Sequence, residues 1–253
     1  ELPAGKPLHG LALVAHGGKL YRQGGKQPRN KPGDPTDNFS TASCSVFDPK
    51  TKKWDKLPDL PAGRSSHDAV VVGDTIVVVG GWTLNGKEGQ SVWAEQALLL
   101  DLTKQPLAWQ AVPQPFKRRA LNAAALEGKV YVVCGMSAAR RTERTIDVLD
   151  VATRKWTTAP ELPGPPRNGF SPAACVSGGR LFVSPSNGTV YRLNQKEEGW
   201  EEVANLDERR IVHRMVPAGE LLLVLGGATR GANLAAVEAI KPGAGKPVPA
   251  AND

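Results

Sequence analysis

The sequence predicts an all-β chain, a β-propeller of about five four-stranded antiparallel blades. Three observations carry this. Short apolar runs recur in groups of four with turn residues between them. Glycine pairs and tryptophans return at a spacing of about 45–55 residues. No long stretch of helical period appears along the 253 residues.

The second and fifth units show the repeat most clearly. Arg64, His67, Gly73-Asp74, Ile76 and Gly80-Gly81 recur as Arg210, His213, Gly219-Glu220, Leu222 and Gly226-Gly227, at a constant offset of 146. The third unit follows at an offset of 54, with Arg118 matching Arg64 and Cys134-Gly135 replacing the glycine pair. The first unit carries His16-Gly17-Gly18, Leu20-Tyr21 and Gly24-Gly25. The fourth is the most degenerate, with Pro185-Ser186 where the glycine pair should stand. The second half of each unit also repeats. Val46-Phe47-Asp48-Pro49 leads to Thr51 and Trp54, Leu99-Leu100-Asp101 to Trp109, Val148-Leu149-Asp150 to Thr153 and Trp156, and Val190-Tyr191 to Trp200.

Four strand-sized runs per unit, joined by Gly-Asp, Asp-Pro and Asn-Gly turns, define one antiparallel blade. The approximate units are 4–59, 60–114, 115–163, 164–206 and 207–249 of a single propeller domain, with 241–253 an irregular tail. The glycine pairs are expected where backbones approach closely, and the tryptophans between blades. The fifth unit shows no evident fourth strand. Lys246-Pro-Val-Pro249 fits that place because an outer edge tolerates proline. Alternatively, Glu1-Leu2-Pro3 is the remnant of a closing strand, as the similar Glu161-Leu162-Pro163 suggests.

The glycine pairs at 24–25, 80–81 and 226–227, the spaced tryptophans and the Asp-Pro-x-Thr-x-x-Trp run at 48–54 resemble the kelch repeat over nearly the whole chain. The resemblance implies a β-propeller, most often a protein-interaction scaffold without catalysis. At the repeat level the sequence is also similar to bacterial kelch-type sialic acid mutarotases. That similarity implies the alternative, a mutarotase or epimerase acting on an acidic sugar.

The net charge of +7 favours anionic partners. Strand parity places the variable b–c loops (about Lys26 to Thr41, Trp82 to Trp93, Ser137 to Arg144) at one end of the blades, together with the blade-to-blade links. Each link carries cations: Lys6, Arg64, Arg118 with Arg119, Arg167, and Arg209 with Arg210. A basic channel mouth is therefore expected, flanked by Trp82, Trp93, Arg140 and Arg141, and suited to carboxylate, sulfate or phosphate. The competing reading is structural, with the link arginines bonding carbonyls or an acidic neighbour. His67 and His213 share a register and are the only acid/base candidates, with packing as their alternative role.

Expected partners are a protein or acidic peptide, or an anionic carbohydrate. Low aromatic content and the lack of a recognition motif argue against nucleic acid. No cofactor motif appears, and neither the four histidines nor Cys44, Cys134 and Cys175 show metal-ligand spacing. Each cysteine lies in an apolar run and reads as a small buried hydrophobe. No apolar run is long enough to span a membrane. No signal peptide is visible at Glu1, which leaves the compartment open, secreted and periplasmic locations included.

Overall fold

A computed structural model describes residues 7–229 and 231–249. The chain divides into two compact units, 1–119 and 120–253. The first holds two blades. Blade 1 pairs Ala12–His16, Lys19–Gln23, Cys44–Asp48 and Lys53–Leu57 in chain order. Blade 2 pairs Asp68–Val72, Thr75–Val79, Gln96–Asp101 and Trp109–Pro113. The second unit holds three. Blade 3 runs Asn122–Leu126, Lys129–Ser137, Thr142–Asp150 and Trp156–Ala159. Blade 4 runs Ala173–Ser177, Arg180–Ser184, Thr189–Leu193 and Trp200–Asn205. Blade 5 has Arg214–Ala218, Leu221–Leu225 and Val237–Ile240.

The repeated residues have physical roles. After the third strand, Asp101 and Asp150 accept bonds from the backbone and hydroxyl of Thr103 and Thr153 at 2.6–2.9 Å. These bonds close the turn and hold both carboxyl groups below their usual range. The tryptophans tie blade to blade. Trp109 Nε1 donates to the Pro58 carbonyl at 2.9 Å, and Trp200 Nε1 to the Pro160 carbonyl at 3.1 Å. Apolar clusters fill the interfaces between blades 1 and 2, 3 and 4, and 4 and 5.

The glycine pairs mark a kink where the second strand leaves its blade. Gly24, Gly80 and Gly226 lie at φ 57°, 65° and 57°, and Cys134 adopts the same left-handed conformation at 59°. At Gly81 a Cβ would fall 2.7 Å from His67 Cβ and 2.8 Å from the Ser65 carbonyl oxygen. Beyond the kink the chain continues as a small hairpin in blades 1, 2 and 5. In blade 3 it continues as a prolongation of the strands across a bulge at Val133/Gly135. Proline cannot take a positive φ, so Pro185 abolishes the kink, and blade 4 turns back directly through Asn187-Gly188.

One expectation is corrected. Lys246–Pro247 does not complete blade 5. It pairs antiparallel with Glu201 and Glu202, on the outer strand of blade 4. The Gly243 N–H bond to the Val203 carbonyl (2.9 Å) and the Val248 N–H bond to the Trp200 carbonyl (2.9 Å) draw the segment across to that edge. The alternative, Glu1-Leu2-Pro3, lies outside the described residues.

A second regularity has no sequence signature. The link before each blade passes through one left-handed residue: Gly10, Ser66, Ala120, Ser171 and Val212, with φ between 45° and 58°. Successive links bond to one another within each unit, Ser66 N–H to Gly10 O (2.8 Å), Ser171 to Ala120 (2.9 Å) and Val212 to Ser171 (3.2 Å).

The three cysteines are buried and none is in a disulfide. Burial raises the Cys44 and Cys175 thiols to about 11 and about 12. Among the described residues no helix is long and apolar enough to cross a membrane.

Candidate functional site

The aligned arginines are interior residues. Arg210 is buried and donates to the Glu208 carbonyl (3.1 Å), the Gly226 carbonyl (3.2 Å) and the Glu238 carboxylate (3.0 Å). Arg64 is buried and donates to the Gln96 carbonyl at 3.0 Å. Desolvation lowers its guanidinium to about 10. Arg118, also buried, lies over the Phe116 ring at 4.4 Å. Arg64 and Arg210 fasten their own blades, and Arg118 packs on an aromatic ring of its own link.

Three of the remaining link cations are more accessible. Arg119 is half-buried, and Arg167 and Arg209 are exposed. Arg167 lies in the short 3-10 turn Pro166–Gly169, and its carbonyl accepts from Ser186 Oγ at 3.3 Å. Arg209 lays its stem beside Gly188, where a Cβ would come within 3.1 Å of Arg209 Cγ. Lys6 lies outside the described residues. Arg140 and Arg141 form the exposed hairpin turn of blade 3, closed by the Ser137 N–H bond to the Arg141 carbonyl at 2.8 Å.

In the first unit the structure assembles a cation–aromatic cluster. Trp82 and Trp93 are cross-strand partners in the blade 2 hairpin, with ring centroids 5.3 Å apart. The Arg119 guanidinium stacks over Trp82 at 4.1 Å. Lys26 completes the group. Its ammonium titrates below the ordinary lysine value, first through partial burial and then through the positive charge of Arg119. Arg119 is itself lowered by desolvation. Both cations have therefore lost part of their water and stand close enough to repel, an arrangement that an incoming anion relieves.

Two long loops support this surface. Arg29 caps the Phe39 ring at 3.4 Å in the blade 1 hairpin. That hairpin bonds to the loop of blade 2: Ser40 N–H to Leu84 O (2.9 Å), Leu84 N–H to Ser40 Oγ (2.9 Å), Gly86 N–H to Asn38 O (2.9 Å) and Lys87 N–H to Asp37 Oδ1 (2.9 Å). Lys26 was not singled out from sequence. Its signal is position, directly after a glycine pair, the register that Trp82 occupies in blade 2.

The two candidate acid/base groups are enclosed. His67 and His213 are both buried, and their Cβ atoms pack against Gly81 and Gly227. Burial, with smaller contributions from Arg210 and Arg214, lowers His213 to about 4. Among the described residues no group of His, Cys, Asp and Glu is placed to hold a metal ion.

Repeated four-stranded blades with kinked glycine pairs and bridging tryptophans define a kelch-type β-propeller fold. Residues 9–227 match the family described as the KLHDC2/KLHL20/DRC7 Kelch-repeats domain. This chain belongs to the kelch-repeat family. It is 26% identical to the F-box/kelch-repeat protein At1g26930 of Arabidopsis thaliana, over 72% of this chain and 58% of that protein. It is 27% identical to the Kelch-like protein terF of Aspergillus terreus (strain NIH 2624 / FGSC A1156), over 71% of this chain and 43% of that protein. The chain thus spans less than two thirds of these relatives. The solved structure of YjhT superposes with a TM-score of 0.75 at 17% identity, over 92% of this chain and 81% of that one.

Proposed function

We propose that the chain is a non-catalytic kelch interaction module that binds an acidic peptide segment of a protein partner on the Lys26–Arg119–Trp82–Trp93 surface of its first unit. The observation that carries the reading is the Arg119 guanidinium stacked on Trp82 beside a second, partly desolvated cation. A planar guanidinium stacked on an indole face has the fork geometry that suits a carboxylate, and the surrounding aromatic surface accepts apolar side chains of the same peptide. The bonds between the two loops hold the surface in shape before binding, which limits the entropic cost of association. Membership of the kelch family supports a protein partner.

The test is a titration of acidic peptides, their Gln/Asn analogues and sialic-acid-type sugars, followed by tryptophan fluorescence at two salt concentrations. An acidic peptide should bind with salt-sensitive affinity, and Arg119→Ala should weaken it roughly 10-fold or more. Equal binding of the neutral analogue, or affinity indifferent to both salt and Arg119→Ala, refutes the reading. Accelerated anomer exchange of an acidic sugar replaces it with the enzymatic one.

A further inference from the structure

The outer strand of blade 4, Trp200–Asn205, is an edge that the chain covers with its own tail. Residues 241–249 cross to it from the third strand of blade 5. Gly243 N–H donates to the Val203 carbonyl, Lys246 and Pro247 pair with Glu202 and Glu201, and Val248 N–H donates to the Trp200 carbonyl. One side chain of the blade reaches out to this segment. Arg192 Nε donates to Glu201 Oε2 at 2.9 Å, and its Nη2 donates to the Ala244 carbonyl at 2.8 Å. Arg192 breaks the repeat, because opposite the middle of the second strand the other blades place Val46, Leu99, Val148 and Ala239. Gly245 fits against that guanidinium at φ 92°, and a Cβ there would fall 2.8 Å from Arg192 Nη2 and 3.2 Å from Glu201 Cβ. Val248 packs on the apolar cluster between blades 3 and 4. Beside it lies a cavity of 450 Å³ with Pro160, Glu161, Pro163, Trp200, Val248 and Pro249 in its walls.

We propose that this edge is a strand-accepting site for an extended segment of a partner protein, basic and containing glycine and proline, and that residues 241–249 fill it as a displaceable stand-in. The tail itself displays the recognition. Main-chain bonds to the edge set the register, Arg192 holds a carbonyl, only glycine fits beside that guanidinium, and an aliphatic residue two places after the lysine anchors the end. Charge selects a basic segment, since Lys246 stands opposite Glu202, and Glu161 and Glu198 border the cavity. The cavity adjoins the end of the paired segment, so a longer occupant has room to continue there. The tail is suited to leave. Six of its nine residues are exposed, which places its release among the low-stability openings of the fold. The site lies in the second unit and shares no residue with the Lys26–Arg119–Trp82–Trp93 surface.

The test frees the edge within the full 253-residue chain. Gly245→Val puts a β-branched residue at a left-handed position against Arg192 and should release the tail. Hydrogen exchange at the Gly243 and Val248 amides reports the release, and Val248→Asp is added if protection persists. A fluorescein-labelled peptide of residues 241–249 is then titrated by anisotropy. In the parent the tethered tail competes at an effective concentration on the order of millimolar, so the peptide should bind the released chain at least about 10-fold more tightly than the parent. A peptide carrying Gly245→Val should not bind, and one carrying Lys246→Glu should bind several-fold more weakly at low salt. A released edge that leaves the native peptide unbound overturns the proposal, as does equal binding of either variant peptide. Unfolding of blade 4 by Gly245→Val also overturns it, because the tail is then an integral strand. Dimerisation of the parent that Gly245→Val abolishes overturns it in favour of tail exchange between two copies.

Discussion

Replacing Arg210 with alanine separates a structural arginine from a ligand-binding one. The side chain is buried and holds three groups at once: the Glu208 and Gly226 carbonyls and the Glu238 carboxylate. Alanine leaves all three without that donor. Glu238 keeps the bond from the Asp207 N–H at 2.7 Å, but its carboxylate, only 14% exposed, loses its counter-charge. Removing one partner of a buried pair costs about 3–5 kcal/mol. For a domain of this size that lowers the thermal midpoint by roughly 6–20 °C. Arg119→Ala gives up a partly exposed cation–π contact and should cost under about 1 kcal/mol. Denaturant unfolding of both variants, with Arg210→Ala/Glu238→Gln to close a double-mutant cycle, checks the difference and should return a coupling of about 1.5–3 kcal/mol. If Arg210→Ala stays within about 0.5 kcal/mol of the parent and instead abolishes binding of acidic peptides, the structural assignment is wrong.

Three further predictions concern the same framework. His213 titrates near 4 when folded against an ordinary 6.5, so between those values the unfolded chain takes up a proton that the folded chain does not. Stability should fall as pH drops through that window, by up to about 1.4 kcal/mol per pH unit. His213→Leu, which copies the residue at this register in blade 3 (Leu121), should flatten the fall, as followed by urea midpoints from pH 7 to 4. Val212 is an exposed β-branched residue held at φ 58°, so Val212→Asn should stabilise the fold by about 1 kcal/mol, measured as a rise in the denaturation midpoint. Gly81→Ala meets both a left-handed backbone and the His67 and Ser65 atoms under 3 Å away, so a loss of about 2–5 kcal/mol is expected; a loss below 1 kcal/mol would show that the blades separate easily there.

The blades were legible because their causes are local and repeat. A glycine pair is needed wherever the chain kinks against the link, and an Asp-x-Thr or Asp-x-x-Thr run wherever the carboxylate closes the turn. The left-handed link residues were not legible, because four residue types fill the five positions and only Gly10 announces its conformation. There the conformation is imposed by the hydrogen bonds between links rather than by the side chain. The tail was misread for a similar reason. Lys246 and Pro247 suit any sheet edge, and what selects blade 4 is a pair of backbone bonds to Val203 and Trp200 that no composition reveals.

The site follows a different logic from the blades, and the repeat itself explains why. A residue that recurs in register meets the same surroundings each time, so its recurrence is accounted for by packing. Arg64 and Arg210 recur, and the structure uses both on backbone carbonyls of their own blades. A recognition surface must instead be singular. Lys26, Trp82, Met136 and Ala228 share one register, directly after the kink, and differ completely in chemistry. Arg119, which stacks on Trp82, stands where Ser65 and Ile211 stand in blades 2 and 5. The backbone at these positions is conservative, since the bridges His9–Lys26, Ser65–Trp82 and Ile211–Ala228 are the same bridge repeated. A fixed backbone with unconstrained side chains is where a propeller can acquire specificity without loss of stability. Partner binding is therefore expected to depend on the residues that break the repeat.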